Sequence, residues 1–170
     1  MAARGIFAVA LALGAMFLPG AGVDASAASV AAAPTSSRVV VDGAETAFDA
    51  YNVKDSNYFK LRDLAFQLSG TEKQFDVGWD ANARAVTLTS GLPYTVAGGE
   101  MAAKGGENKT PIPSSHTIII DGVTVSLTAY NIDGNNYFML RDIGRAFDFA
   151  TDYDAATRTV VIDTGKPYSD

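Results

Sequence analysis

The chain has 170 residues, no cysteine, a single histidine, and 13 basic against 19 acidic side chains, for a formal net charge of -6. Without cysteine there is no disulfide, no thiolate metal ligand and no lipid-modified cysteine, so any fold must rest on its apolar cores. The basic residues are thinly scattered, which argues against nucleic acid or an anionic lipid surface as a partner, because both need clustered Lys and Arg.

At the N-terminus, Arg4 and the free amine precede an apolar run from Ile6 to Leu18. Pro19 ends that run, and Ala25-Ser26-Ala27 offers small residues where a signal peptidase reads. About thirteen helical residues span only about 20 Å, short of the roughly 30 Å hydrocarbon core. Residues 1–27 are therefore expected to be a cleaved signal peptide, and the mature protein to be secreted, extracellular or held at the cell surface, with no membrane span after cleavage. Residues 28–37 read as a disordered N-terminal segment.

The remainder says nearly the same thing twice, about 79 residues apart. Asp42-Gly43 returns as Asp121-Gly122, Ala50-Tyr51-Asn52 as Ala129-Tyr130-Asn131, Asn57-Tyr58-Phe59 as Asn136-Tyr137-Phe138, and Leu61-Arg62-Asp63 as Leu140-Arg141-Asp142. The offset then falls to about 74, and Trp79-Asp80, Arg84 and Pro93-Tyr94 match Tyr153-Asp154, Arg158 and Pro167-Tyr168. Arg38 to Val41 and Thr117 to Ile120 are β-branched runs closed by Asp-Gly, the signature of a strand entering a hairpin turn. The next strand alternates through Ala44, Thr46, Phe48 and Ala50, or Val123, Val125, Leu127 and Ala129, which leaves one of its sides wet. A second turn leads into Tyr58-Phe59 or Tyr137-Phe138.

The period then switches. Leu61, Leu64, Ala65 and Leu68 recur at helical spacing, as do Leu140, Ile143, Gly144 and Phe147. Two further strands follow, through Phe75, Val77 and Trp79 to Val86 and Leu88, or through Phe149, Thr151 and Tyr153 to Val160 and Ile162. Leu64, Leu68, Phe75, Trp79, Val86 and Leu88, and their counterparts Ile143, Phe147, Phe149, Tyr153, Val160 and Ile162, are expected to be buried. The expected fold is α+β: two tandem two-layer modules, residues 38–94 and 116–170, each a roughly five-stranded antiparallel sheet curved around one short helix in the order β-β-β-α-β-β. Residues 95–115, with paired glycines and prolines, read as the linker.

The strings Val-Asp-Gly, Ala-Tyr-Asn, Asn-Tyr-Phe and Leu-Arg-Asp, followed by an aromatic before Asp, resemble the copper amine oxidase N-terminal-domain-like family of secreted bacterial proteins over residues 38–94 and 116–168. The resemblance implies a five-stranded antiparallel sheet curved around one helix, and a module named for its position on an enzyme and not for chemistry of its own. Many members carry proline before the Leu-Arg pair, where this chain has Lys60 and Met139.

Copper and quinone chemistry needs a cluster of imidazoles and a separate catalytic domain, whereas His116 is the one histidine here. His116 reads as an exposed or hydrogen-bonded structural residue. Asn131, Asp133, Asn135 and Asp142 have the spacing of a calcium loop, but Asn136 stands where its glycine belongs, and a hairpin turn explains the segment better. Glu45, Asp49, Asp76 and Asp80 make no glycosidase pair repeated in both copies, and no serine has a histidine base. Asn108-Lys109-Thr110 matches the N-glycosylation pattern by chance in a polar linker. No catalytic residue, cofactor or metal is therefore expected, and the chain is expected not to be an enzyme.

Arg62-Asp63 and Arg141-Asp142 open the two helices. Asp suits a helix N-terminus and Arg reaches a neighbouring acceptor, so the pairs are read as a structural signature, against the alternative of anion recognition. Tyr51 and Tyr130 fall on the wet side of their strand, where they make either a candidate binding surface or a second core between modules. The expected function is a secreted, non-catalytic binding or scaffolding protein of the cell envelope or extracellular space, with a wall polymer or an extracellular protein as partner. Its two tethered copies would gain avidity. The alternatives are a self-associating structural protein and, behind it, an unrecognised hydrolase or an enzyme accessory domain.

Overall fold

A computed structural model describes residues 30–103 and 105–170; the expected signal peptide lies outside the described residues. Each copy supplies seven strands and one helix. The first runs β1 (Ala33–Pro34), β2 (Arg38–Val41), β3 (Ala44–Glu45), β4 (Ala50–Val53), β5 (Ser56–Lys60), α1 (Leu61–Leu68), β6 (Phe75–Asp80) and β7 (Ala85–Ser90). The second runs β8 (Ile112–Pro113), β9 (Thr117–Ile120), β10 (Val123–Val125), β11 (Ala129–Ile132), β12 (Asn135–Met139), α2 (Leu140–Phe147), β13 (Ala150–Asp154) and β14 (Thr159–Asp163). The class is α+β with largely antiparallel sheets.

The strand count exceeds the expected five for two reasons. The single alternating strand expected from Ala44 to Ala50 breaks into β3 and β4, because β3 pairs with β2 in one sheet while β4 pairs with β5 in another. The bend between them is the corner at which a chain changes sheets. In addition, Ala33–Pro34 and Ile112–Pro113 are short strands inside segments read as a disordered lead-in and a linker. They add to β4 and β11 at matching positions, Pro34 beside Tyr51 and Pro113 beside Tyr130. The repeat thus reaches further upstream than its strongest residues suggest.

The three sheets mix the copies. A six-stranded sheet, in the order β1-β4-β5-β12-β11-β8, joins the central hairpins back to back, with Phe59 opposite its own counterpart Phe138. The order β10-β9-β7-β6 sets the first hairpin of the second copy parallel to β7, Ile118 beside Val86. The order β13-β14-β2-β3 sets the first hairpin of the first copy parallel to β14, Val39 beside Val160. Neither copy therefore closes its own small sheet, and the arrangement departs from two self-contained modules on a string. Avidity between tethered beads does not describe two halves that share every sheet.

The Asp-Gly turns fasten this exchange. Asp42 and Asp121 have φ near 49° and 50°, followed by Gly43 and Gly122 at 84° and 81°, the doubly positive pattern of a tight hairpin turn. Each turn then reaches the other copy. Asp42 Oδ1 accepts from the Thr164 amide at 2.7 Å and Oδ2 from the Thr164 hydroxyl at 2.8 Å, while Asp121 Oδ1 accepts from the Ser90 amide at 2.9 Å.

One core lies between the helices and the three sheets. Leu61, Leu64 and Leu68 of α1, Leu140, Ile143 and Phe147 of α2, and the facing pair Phe59 and Phe138 all belong to it. Phe75 stacks on Phe147 across the copies at 4.1 Å. A smaller core covers the opposite face of the six-stranded sheet, from Ala32, Tyr51, Val53, Tyr58, Ile132 and Tyr137. Alternation along β4 and β5 divides the two, since neighbouring side chains point to opposite faces.

Trp79 and Tyr153, expected in the core, are 51% and 45% exposed. The eight-residue helices each cover about 12 Å, while six-residue β6 runs about 20 Å and five-residue β13 about 17 Å, so the far ends of both strands outrun their helices.

Candidate functional site

The strand-to-helix junction is built alike in both copies and used differently. Lys60 ends β5 and directly precedes α1 without a side-chain cap, and Asp63 falls in the first turn, where a carboxylate favours the helix N-terminus. Asp63 is fully buried, and its Oδ1 holds the Lys60 ammonium at 2.9 Å and the Met101 amide at 3.0 Å. Lys60 also donates to the Gly99 carbonyl at 3.2 Å. Arg62 donates to the Tyr94 hydroxyl at 3.1 Å, and that hydroxyl donates to Glu100 at 2.7 Å. The Arg-Asp signature of the first copy thus pins residues 95–101 across the start of α1, as a strap. The strap is internally fastened: Glu100 accepts from the Ala97 and Gly98 amides. The Tyr94 hydroxyl and these amides hold the Glu100 carboxyl at about 2, below the usual carboxylate range.

In the second copy Met139 replaces Lys60. Asp142 Oδ2 accepts from the Thr128 amide at 2.8 Å, and Arg141 is exposed. Tyr168, the counterpart of Tyr94, is engaged by Arg145, which donates to its hydroxyl at 3.3 Å, lies 5.2 Å from its ring centre and binds Asp170 at 2.6 Å. Here a cleft of about 790 Å³ opens between the two halves. Ser36 and Asn57 line it from the first half, and Arg141, Asp142, Thr151 and Arg158 from the second. Arg158 donates to the Ser36 hydroxyl across the cleft.

Arg62, Asp63 and Asp142 of the signature therefore meet polar partners, while Arg141 is exposed. Tyr51 is only 1% exposed, so it offers no stacking surface: the lead-in strand β1 and Tyr137 cover it, and it lies edge-on to Tyr137 at 5.3 Å. The reciprocal pair, Tyr58 with half-buried Tyr130, stands at 5.1 Å. These tyrosines pack the copies together. Burial raises the Tyr51, Tyr58 and Tyr137 hydroxyls above their usual range, and Tyr137 additionally donates to Asp49 at 2.7 Å.

The calcium-like segment is a hairpin turn whose polar groups serve the turn. Asn131 Oδ1 accepts from the Gly134 amide at 3.2 Å, Asn135 donates to the Asp133 carbonyl, and Asp133 pairs with Lys109 at 3.0 Å. His116 shares a hydrogen bond with Ser114 and meets Trp79 edge-on at 5.4 Å. Sequence reasoning passed over Ser36, Asn57, Thr151 and Arg158 as cleft residues. The echo of Pro34-Thr35-Ser36 in Pro113-Ser114-Ser115 was the available signal that the lead-in belongs to the fold. Compared with protein-family models, curated proteins and solved structures, the chain matches none.

Proposed function

We propose that the chain is a secreted, non-catalytic binding or scaffolding protein of the cell envelope or extracellular space, built from two copies of a module that resembles the copper amine oxidase N-terminal-domain-like family. The observation that carries this reading is the cleft at the start of α2. Both halves line it, and its counterpart at α1 is covered by the chain's own strap. Asp142 is held by the Thr128 amide, Arg158 donates to the Ser36 hydroxyl and Arg145 pairs with Asp170, while Arg141 faces the cleft, an arrangement that suits recognition better than a nucleophile with its base. Secretion rests on the N-terminal apolar run alone. Among the described residues no helix is long and apolar enough to cross a membrane.

Self-association is the competing reading. Against it, both edges of the six-stranded sheet are two-residue strands carrying Pro34 and Pro113, which blunts pairing with another chain. Sedimentation of the purified protein with isolated cell walls, beside size-exclusion chromatography of the protein alone, tests the proposal. Retention on walls with a monomeric elution supports binding, and concentration-dependent oligomers without retention contradict it.

A further inference from the structure

The two junctions act as each other's control, and resting on the binding reading above, we infer that the cleft at α2 takes a polypeptide turn in trans, bearing a carboxylate for Arg141 and a backbone N–H for Asp142, as the strap at α1 is a turn in which Glu100 folds back on the Ala97 and Gly98 amides. At α1 that place is taken by the chain's own residues 95–101. Asp63 accepts the Met101 amide, and Arg62 reaches Glu100 through the Tyr94 hydroxyl. At α2 the same two residue types stand in the same positions with that work undone. Asp142 uses one oxygen on Thr128, and the other accepts no hydrogen bond among the described residues. Arg141 makes no side-chain hydrogen bond or ion pair among the described residues and lines the open cleft.

The differences between the junctions define the ligand further. Tyr168 cannot relay for Arg141 as Tyr94 does for Arg62, because Arg145 and Asp170 already hold its hydroxyl. Arg141 is left to meet the ligand carboxylate directly, in the charge-assisted geometry that guanidinium favours. Met139 replaces the lysine that bound the Gly99 carbonyl, so the ligand meets an apolar, adaptable side chain there. Gly98 and Gly99 take φ of 97° and 80°, the left-handed region that favours glycine, with open space where a Cβ would stand, so a trans ligand that makes the same turn needs residues tolerant of positive φ beside its acid. A glycan would use the same polar lining, but a polypeptide already fills the equivalent place in this molecule.

The probe is a synthetic peptide of residues 95–103, Thr-Val-Ala-Gly-Gly-Glu-Met-Ala-Ala, titrated into the isotope-labelled full chain. The expected result is saturable amide shifts at Arg141, Asp142 and Ser36, weakened at least tenfold by Arg141→Glu and by a peptide carrying Glu100→Gln. Arg141 is exposed, so thermal unfolding of R141E serves as the check that the fold is kept. No saturable shift up to millimolar peptide, undiminished binding by R141E, or shifts confined to Lys60 and Asp63 through exchange with the strap would each overturn the inference. A chitin-type oligosaccharide shifting the cleft residues while the peptide does not would remove the peptide inference and leave the binding reading standing. Failure of both probes together with no retention on walls would remove both.

Discussion

Tyr137 carries a hydroxyl into the smaller core and gives it to Asp49 at 2.7 Å, with both residues buried. Removing that donor leaves a carboxylate in apolar surroundings, which costs more than the bond itself contributes. Tyr137→Phe is expected to lower stability by about 1–3 kcal/mol in denaturant unfolding, and an unchanged midpoint would show Asp49 to be solvated. Glu100 gives a second test at this scale. The Tyr94 hydroxyl and the strap amides hold its carboxyl down at about 2, below the ordinary carboxylate range, so the stability it lends the strap is complete above that range and is lost as pH falls through about 2. A carboxyl-carbon titration by NMR should place the midpoint near 2 and should move it upward in Tyr94→Phe. A midpoint at an ordinary carboxylate value in the native chain would mean that the strap is not fastened there. Neither arrangement is visible in the sequence. Asp49 has Thr128 as its counterpart, and Glu100 lies in the unrepeated linker, so comparison of the copies passes over both.

At the scale of elements, helix periodicity and the Asp-Gly turns were readable because each depends on local spacing. The faces of β4 were not. Ala50-Tyr51-Asn52-Val53 alternates as a half-wet strand would, yet Ala50, Tyr51 and Val53 are all buried, because a lead-in without apolar pattern lays Ala33–Pro34 over its edge and Ala32 into the core. The helices show the same limit. Gly144 sits in α2 where α1 has Ala65, and propensity alone favours alanine by about 1 kcal/mol. A Cβ there would stand 2.7 Å from the Thr151 methyl and 3.0 Å from the Phe149 carbonyl, so α2 lies closer to β13 than a methyl permits. Gly144→Ala is therefore expected to destabilise, by about 1–3 kcal/mol from overpacking, and a stabilised variant in thermal unfolding would show that helix and strand can separate freely.

For the whole molecule the repeat was legible and its closure was not. β2 and β9 are near-equivalent β-branched strands, and so are β7 and β14, so apolar pattern fits β2 beside β7 as well as beside β14. The structure selects the exchanged pairing, with Asp42 and Asp121 clasping the opposite copy and Phe75 stacked on Phe147. The cleft exists because of that exchange, since its two walls come from different halves. Backbone proton contacts by NMR in the monomeric protein test this most directly. Val39 and Val40 are expected to show inter-strand contacts to Val160 and Val161, and Ile118 and Ile119 to Val86 and Thr87. Contacts from Val39 and Val40 to Val86 and Thr87 instead would mean that each copy closes its own sheet, and would contradict the intertwined fold and the cleft built on it.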